Sequence, residues 1–184
     1  MFPEIKKQIL DGALKVFKLQ GIEKTTMDQI AHESGFGKAT LYYYYASKDE
    51  VFIDIMVKGW KDLWEGIENL IVEEKSPKEK FVGIIVKIGS IVKNNRNLYG
   101  FLFTAPNHIH DSSKQIWKTY QERLYAILGS IIDEGTKKNE FIDINPKVLM
   151  KAVGGLFHGL VLNNEDDLVD SDLKFMVNNL INPK

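Results

Sequence analysis

Residues 25–50 read TTMDQIAHESGFGKATLYYYYASKDE, and this stretch decides the fold of the first part of the chain. Thr26-Met27-Asp28-Gln29 has the spacing of a capping box, in which a Thr hydroxyl and a Gln side chain satisfy N–H groups three residues apart. The glycines in Gly35-Phe36-Gly37 permit a tight turn. A second short helix is predicted over residues 38–45. The stretch therefore predicts two short helices joined by a glycine-containing turn.

A longer helix precedes this pair. Apolar residues recur at three- and four-residue intervals over about residues 4–19, which gives that helix one apolar face. Gly21 follows it and suits a left-handed helix cap. Two short helices braced by a longer first helix form the helix-turn-helix arrangement that reads DNA.

The remainder of the chain is also predicted to be helical, because the alternation and Asn-Gly or Asp-Gly turns that indicate strands are absent. Ser47-Lys48-Asp49-Glu50 forms another capping box and opens a helix to about residue 72. Ser76-Pro77 opens the next. Later helices are predicted over about residues 98–103, from 111 or 112 to about 135, over 145–162 and over 171–180. We predict an all-α chain of about nine helices, with a helix-turn-helix domain over residues 1–47 and a helical body over residues 48–184.

Composition and charge narrow the class of protein. The 184 residues include no Cys, which excludes disulfides, thiolate metal ligands and a thiol nucleophile. Residues 1–48 carry seven Lys against five acidic residues, a net charge of +2, and the rest of the chain carries −3. Two excess charges are weak evidence of DNA binding on their own. No apolar run reaches the roughly 18 residues of a membrane helix, and no signal peptide is recognised, so we expect a cytoplasmic protein.

The motif residues together resemble the N-terminal signature of the TetR family of repressors over about residues 5–52. Tyr45 stands where Phe is commoner in the family, and Tyr44 stands where His or Tyr is usual. The rest of the chain resembles the family only in length and helical pattern. The segments that carry the resemblance are Gly21-Ile22, residues 25–31, residues 34–45 and residues 47–50.

The resemblance implies that the helix over residues 38–45 enters the major groove of DNA. Bases would be met by Lys38, Thr40 and Tyr43, and phosphates by Tyr42 and Tyr44. Lys48 is similar to the family's phosphate-contacting lysine, and Thr26 lies at a helix N-terminus, where an anion is favoured. The expected DNA-binding set is Thr26, Lys38, Ala39, Thr40, Tyr42, Tyr43, Tyr44 and Lys48.

A plainer interpretation is open for the same residues. The four tyrosines are then ordinary core and surface aromatics, Thr26 is only a helix cap and Lys48 is solvated. Asp28 and Glu33 are unfavourable for approach to DNA and have no role here beyond facing solvent. Only Lys38 has a charged donor suited to guanine. Apolar and phenolic contacts and DNA shape are therefore expected to carry much of the specificity.

The resemblance also implies that the body binds a small effector. Apolar pockets with few polar groups are the usual sites for such molecules, although the same side chains could simply fill the core. Asn107, His108 and His110 are polar candidates, but His-x-His lacks further ligands at useful spacing, so neither a metal nor a cofactor is expected. The expected pocket residues are Trp60, Trp64, Phe81, Ile85, Phe101, Phe103, Trp117 and Tyr120.

A homodimer is implied as well. Several glycines over residues 148–162 would each cost about 1 kcal/mol in a helix, which suggests close approach to the same helix of a second subunit. The last helix presents an apolar stripe that either joins this interface or packs only on its own subunit. The expected interface residues are Gly155, Phe157, His158, Gly159, Leu173, Met176, Val177 and Leu180.

These features together predict a homodimeric regulator of transcription, most simply a repressor that a small apolar or aromatic effector releases from a pseudo-palindromic operator. The partners are double-stranded DNA, an effector and a second copy of the chain, with no membrane. One alternative is an architectural DNA-binding protein without an effector. An enzyme is not expected, since no activated nucleophile, acid–base grouping or phosphate loop is evident. Activation instead of repression stays open.

Overall fold

The computed structural model of the chain describes residues 2–104, 117–143, 145–159 and 170–181. Helices dominate these residues, and no strand occurs among them, which confirms the all-α prediction. The predicted helix start at residues 111–112 and the end predicted near residue 162 lie outside the described residues. The helices are α1 (Phe2–Gln20), α2 (Met27–Glu33), α3 (Lys38–Tyr44), α4 (Lys48–Val72), α5 (Pro77–Asn94), α6 (Arg96–Thr104), α7 (Lys118–Lys137), α8 (Pro146–Phe157) and α9 (Asp170–Ile181).

Side-chain caps explain where several helices begin. At α5, the Ser76 hydroxyl accepts from the Glu79 N–H at 3.3 Å, and the Glu79 carboxylate accepts from the Ser76 N–H at 3.1 Å. These bonds lower the pKa of Glu79. At α4 the predicted box differs: Ser47 accepts from the Glu50 N–H, but Glu50 accepts from Ala46, one residue earlier than expected. The carboxylate of Glu50 therefore accepts from a residue of the loop before α4 and not from the N-cap residue.

The chain divides into two compact units. The first unit comprises Met1–Trp60 and Gly100–Lys118, and the second comprises Lys61–Tyr99 and Thr119–Lys184. The units are defined by contacts, whereas the predicted boundary at residue 47 concerns function and stays a prediction.

Aromatic and aliphatic side chains form the core of the first unit. In it, α1 packs on α2, and α2 packs on α3. Phe17 stacks on Phe101 with ring centroids 6.0 Å apart, and Phe52 meets both rings edge-on. Burial of each ring is worth about 1.5–3 kcal/mol, and the three rings join α1, α4 and α6. Side chains that are completely buried in this unit include Ile9, Ala13, Ile30, Leu41 and Phe52.

The second unit is organised around α5, on which α9 packs. Phe81 of α5 is fully buried and meets Phe141 edge-on at 5.6 Å. The Ile142 N–H donates to the carbonyl of Ile181 at 2.9 Å, which fixes the end of α9. Glu140 accepts from the Lys78 N–H at 2.9 Å and so holds the start of α5 to the segment after α7.

Among the described helices, none combines the length and apolar character that crossing a membrane would need. Across the described ranges, no group of three or more metal-ligating side chains is found. Asn107, His108 and His110 lie outside the described residues.

Candidate nucleic-acid interface

The short helix α3 presents a broad aromatic surface to solvent. Tyr42 is 53% exposed and Tyr43 is 75% exposed, whereas the preceding residue, Leu41, is completely buried. Ala39 is exposed and Thr40 is half-buried on the same helix. Large aromatic side chains left exposed on a helix that has its own core contact are available to a partner.

The turn that leads into α3 requires glycine at one position. Gly35 has a φ of +74°, a left-handed conformation that side chains with a Cβ rarely adopt. The Phe36 N–H then donates back to the Ala31 carbonyl at 3.0 Å, which closes the turn. Gly37 is extended and serves as the N-cap of α3. The predicted Gly-Phe-Gly turn is therefore present, with the strict requirement at Gly35 only.

Lys38 and Asp28 form an ion pair that links the first turns of α3 and α2. Hydrogen bonding to Asp28 raises the pKa of Lys38. Both side chains are more than half exposed, so the pair contributes little stability. The pair gives Asp28 a role that the sequence analysis did not predict. Its carboxylate partly neutralises Lys38, the only charged side chain of α3. Glu33 is likewise paired, with Lys15 of α1 at 3.3 Å.

Thr26 caps α2 as predicted. Its hydroxyl oxygen accepts from the Gln29 N–H at 3.3 Å, and Gln29 Oε1 accepts from the Thr26 N–H at 2.9 Å. Gln20 of α1 donates to the same Gln29 oxygen at 2.8 Å. Thr26 is exposed, so its role as a cap is present while its expected contact with a phosphate stays a prediction.

Tyr45 differs from its three tyrosine neighbours because it faces inward. It is only 4% exposed, and its hydroxyl donates to Asp54 Oδ2 of α4 at 2.5 Å. Burial, followed by this hydrogen bond, raises the pKa of Tyr45, so the phenol stays a donor at neutral pH. Lys6 of α1 lies 3.6 Å from the same carboxylate oxygen. The phenol that replaces the commoner Phe thus ties the end of α3 to α4 and α1.

Lys48 occupies an unexpected environment. Its ammonium donates to the backbone carbonyls of Ile22 at 2.7 Å, Glu23 at 2.8 Å and Thr25 at 3.0 Å. The side chain is therefore directed to the loop between α1 and α2 rather than to open solvent. The contact with a phosphate expected for Lys48 stays a prediction. No periodic pattern in the sequence could have predicted that Lys48 contacts the loop between α1 and α2, which lies more than 20 residues earlier.

The expected pocket residues are distributed over both units. In the first unit, Trp60 meets Phe103 edge-on at 5.8 Å, while Phe101 and Trp117 each contact Phe52. In the second unit, the Arg123 guanidinium lies 3.9 Å from the Trp64 ring centroid. The second unit also contains Phe81, Ile85 and Tyr120; the first two are buried and Tyr120 is half-buried.

The expected dimer residues divide into exposed and buried groups. Gly155, His158 and Gly159 are exposed, whereas Leu173 and Val177 are buried against the chain's own residues. This burial differs from the expectation that they face a second subunit, because one side of α9 is used to pack on α5. Met176 and Leu180 are half-buried, and nothing is described of the Phe157 side chain. The sequence missed Phe175, which is 69% exposed on the same helix.

Comparison with known proteins finds similarity to regulators of transcription. A sequence profile of bacterial regulatory proteins of the tetR family matches residues 9–55, the segment that includes α2, α3 and the start of α4. The fatty acid metabolism regulator protein of Bacillus subtilis strain 168 is 26% identical over 136 residues, which cover 72% of this chain and 69% of that protein. Residues 9–55 therefore carry the N-terminal domain of the tetR family of bacterial regulatory proteins.

Solved structures of other regulators share the fold over almost the whole chain. AibR in complex with isovaleryl coenzyme A and operator DNA has a TM-score of 0.83 at 15% identity, covering 97% of this chain and 98% of that one. FadR of Bacillus subtilis in complex with stearoyl-CoA has a TM-score of 0.74 at 21% identity, with the same coverage. At these identities the likeness establishes the fold of the chain, including its helical body, and not its ligand.

Proposed function

We propose that this chain is a sequence-specific DNA-binding repressor that acts as a homodimer. The observation that carries the proposal is the exposed face of α3, where Tyr42 and Tyr43 are solvent-exposed on a helix whose Leu41 is buried. In a dimer, two such helices enter successive major grooves, roughly 34–36 Å apart for one helical turn of DNA. Thr26, Lys38, Ala39, Thr40 and Tyr44 remain the other candidate DNA-binding residues.

The outward faces of α8 and α9 support the dimer. Val148 is 51% exposed and Phe175 is 69% exposed. A Cβ added at Gly155 or Gly159 would meet no atom of the chain's described residues within 4 Å, so packing among the described residues does not explain these glycines. Glycine in a helix is costly, and close approach of a second subunit accounts for it. We assign the interface to the exposed and half-buried members of the expected set, with Phe175 added.

Replacing Tyr43 by Ala is expected to weaken operator binding by about tenfold or more, because one good base or phosphate contact is worth roughly 1–3 kcal/mol. Binding is measured by titrating DNA from the region upstream of the gene at several salt concentrations. The matched control is Tyr125→Ala, which removes another exposed tyrosine, 51% exposed on α7. Sedimentation should give the same dimer mass for both variants.

Equal affinity of the Tyr43→Ala and Tyr125→Ala variants would contradict the assignment of α3 as the reading helix. A failure of the unmodified chain to bind any DNA, even weakly at low salt, would overturn the proposal as a whole. Specific binding should weaken steeply as salt rises, because counterions are released from the phosphates.

We further propose that the effector is an acyl thioester of coenzyme A. The support is chemical: the fatty acid regulator is a sequence relative, and two proteins of the same fold are bound to isovaleryl coenzyme A and to stearoyl-CoA. The first unit holds two indole N–H groups, those of Trp60 and Trp117, that are buried and have no hydrogen-bond partner among the described residues. Buried donors of this kind favour a ligand that brings an acceptor such as a carbonyl oxygen.

Adding acyl-CoA is expected to release the operator, with an affinity for DNA at least fivefold lower at saturation, the lower end of usual allosteric coupling. Fluorescence anisotropy of labelled operator measures this across a series of acyl chain lengths. Free coenzyme A is the matched control, since it keeps the nucleotide and lacks the acyl chain. If no acyl chain length changes the affinity for DNA, the effector class is wrong, while the role of α3 is unaffected.

A further inference from the structure

The loop between α1 and α2 depends on a side chain of α4 for much of its hydrogen bonding. Within residues 21–25, the Gly21 carbonyl accepts from the Thr25 hydroxyl at 2.7 Å, and the Lys24 carbonyl accepts from Gln20 at 3.2 Å. The other three carbonyls of the loop accept from Lys48. Ile22 and Thr25 are themselves buried, 5% and 2% exposed. The Ile22 carbonyl also accepts from the Thr25 N–H at 3.1 Å, whereas the Thr25 carbonyl would be costly to leave without a donor.

The donors of Lys48 are fully used by these contacts. A lysine ammonium has three N–H donors, and three carbonyls lie within 3.0 Å of it. Moving the ammonium to a phosphate would therefore give up bonds to several carbonyls at once. A side chain that is free to bind a phosphate would not be expected to have all its donors committed to backbone carbonyls.

The position of Lys48 in its helix supports the same reading. Lys48 is the first residue of α4, where the positive end of the helix dipole makes a cation unfavourable. The helix itself thus gains nothing from this charge. The loop is stabilised by this charge, because the partial negative charges of its carbonyls surround the ammonium.

We propose that Lys48 is a positioning residue, which ties the first turn of α4 to the loop before α2 and so sets where the helix-turn-helix stands on α4. It acts through these carbonyls and takes no DNA phosphate of its own. The inference rests on the proposed function, in that it concerns how the DNA-binding helices are held. Movement of α4 would then reach α2 through this lysine as well as through the core.

The test compares Lys48→Met and Lys48→Arg in the salt-dependent operator titration. Lys48→Met keeps the aliphatic stem and loses the donors, and we expect affinity to fall about tenfold or more from the loss of three charge-assisted hydrogen bonds. The slope of log affinity against log salt should stay unchanged, because no phosphate contact is removed. A lost phosphate contact would instead reduce the slope by about 0.9 for each subunit, or about 1.8 for the dimer, and that result would overturn the proposal.

Lys48→Arg separates charge from geometry and also decides the matter if Lys48→Met does not fold. A guanidinium keeps the charge, and so would keep a phosphate contact, but its planar fork does not match three converging carbonyls. We expect Lys48→Arg, like Lys48→Met, to bind operator more weakly than the unmodified chain does. Affinity equal to that of the unmodified chain would overturn the proposal. Amide hydrogen exchange at Thr25, whose N–H donates to Ile22 at 3.1 Å, should accelerate in both variants.

Lys61→Met is the control for removal of one positive charge. Lys61 belongs to the same helix, pairs with Glu65 at 3.6 Å, and lies about 20 Å further along α4 at 1.5 Å per residue. Its affinity for operator and its exchange at Thr25 should match the unmodified chain. Absence of DNA binding by the unmodified chain would reject the proposed function, whereas normal binding by Lys48→Met would reject only the role of Lys48.

Discussion

Replacing Gly135 by Ala is expected to destabilise the chain by about 3 kcal/mol, the upper part of the usual range for overpacking a core. A Cβ built on Gly135 would lie 1.8 Å from both Cδ2 and Cε2 of Phe141. The Phe141 ring is only 5% exposed and meets the fully buried Phe81 ring edge-on. It therefore cannot move aside without leaving its place against α5. Urea denaturation measures the loss, which is a large fraction of the roughly 5–15 kcal/mol of a typical domain.

Gly129→Ala is the matched control for Gly135→Ala. Gly129 lies in the same helix, α7, and an added Cβ there meets nothing within 4 Å among the described residues. It should stabilise the chain by up to about 1 kcal/mol, because Ala is a better helix former than Gly. In a Phe141→Ala background, Gly135→Ala should cost little, since the ring it clashes with is gone. Equal costs in both backgrounds would show that the ring is not the cause.

Gly135 also shows where sequence reasoning fails. A glycine after a long apolar repeat suggested the end of a helix, but α7 continues to Lys137. The left-handed residue after the helix is Asn139, with a φ of 58°. Glu140 and Phe141 then both donate to the Gly135 carbonyl, which brings the Phe141 ring onto the glycine. A glycine needed for close packing and a glycine that ends a helix look the same in one sequence.

The helix-turn-helix was predictable because its signals are local. The Thr26 capping box spans four residues, and the turn at Gly35 requires a left-handed residue that glycine provides. Burial of Leu41 and exposure of Tyr42 and Tyr43 agree with a reading helix that has one inward contact. Propensity, capping and apolar spacing all favoured the same two helices, and such agreement makes a local prediction dependable.

Contacts between distant residues could not be predicted in this way. The bond from Lys48 to Ile22 joins residues 26 apart, and the pair of Lys38 with Asp28 crosses the turn between two helices. No periodicity connects such positions, and each residue had an adequate local explanation as a solvated side chain. The same holds for α9: its apolar stripe was visible in the sequence, but only packing shows that Leu173 and Val177 are buried within the subunit.

The largest effect in the first unit is expected from Gly12→Ala, which should destabilise that unit by about 1–3 kcal/mol. Gly12 is buried in α1, and a Cβ added there would lie 2.9 Å from Ser34 N and 3.0 Å from Ser34 Cα. These are backbone atoms at the end of α2, and the Ser34 N–H is held by the Ile30 carbonyl at 2.9 Å. They cannot rotate away as a side chain does, so α1 and α2 must move apart.

Operator binding should fall about tenfold or more in Gly12→Ala, because α2 leads through the turn at Gly35 directly into α3, and a displaced reading helix loses contacts worth roughly 1–3 kcal/mol each. Gly100→Ala in α6 is the control, since it belongs to the same unit and its added Cβ meets nothing within 4 Å among the described residues. The titration is run where circular dichroism shows both variants fully folded. If Gly12→Ala then binds operator like Gly100→Ala, the spacing of α1 and α2 does not govern the placement of α3. A loss confined to DNA binding, with the dimer mass unchanged, is the expected result and would mean that the spacing of α1 and α2 sets the geometry of the DNA-binding face.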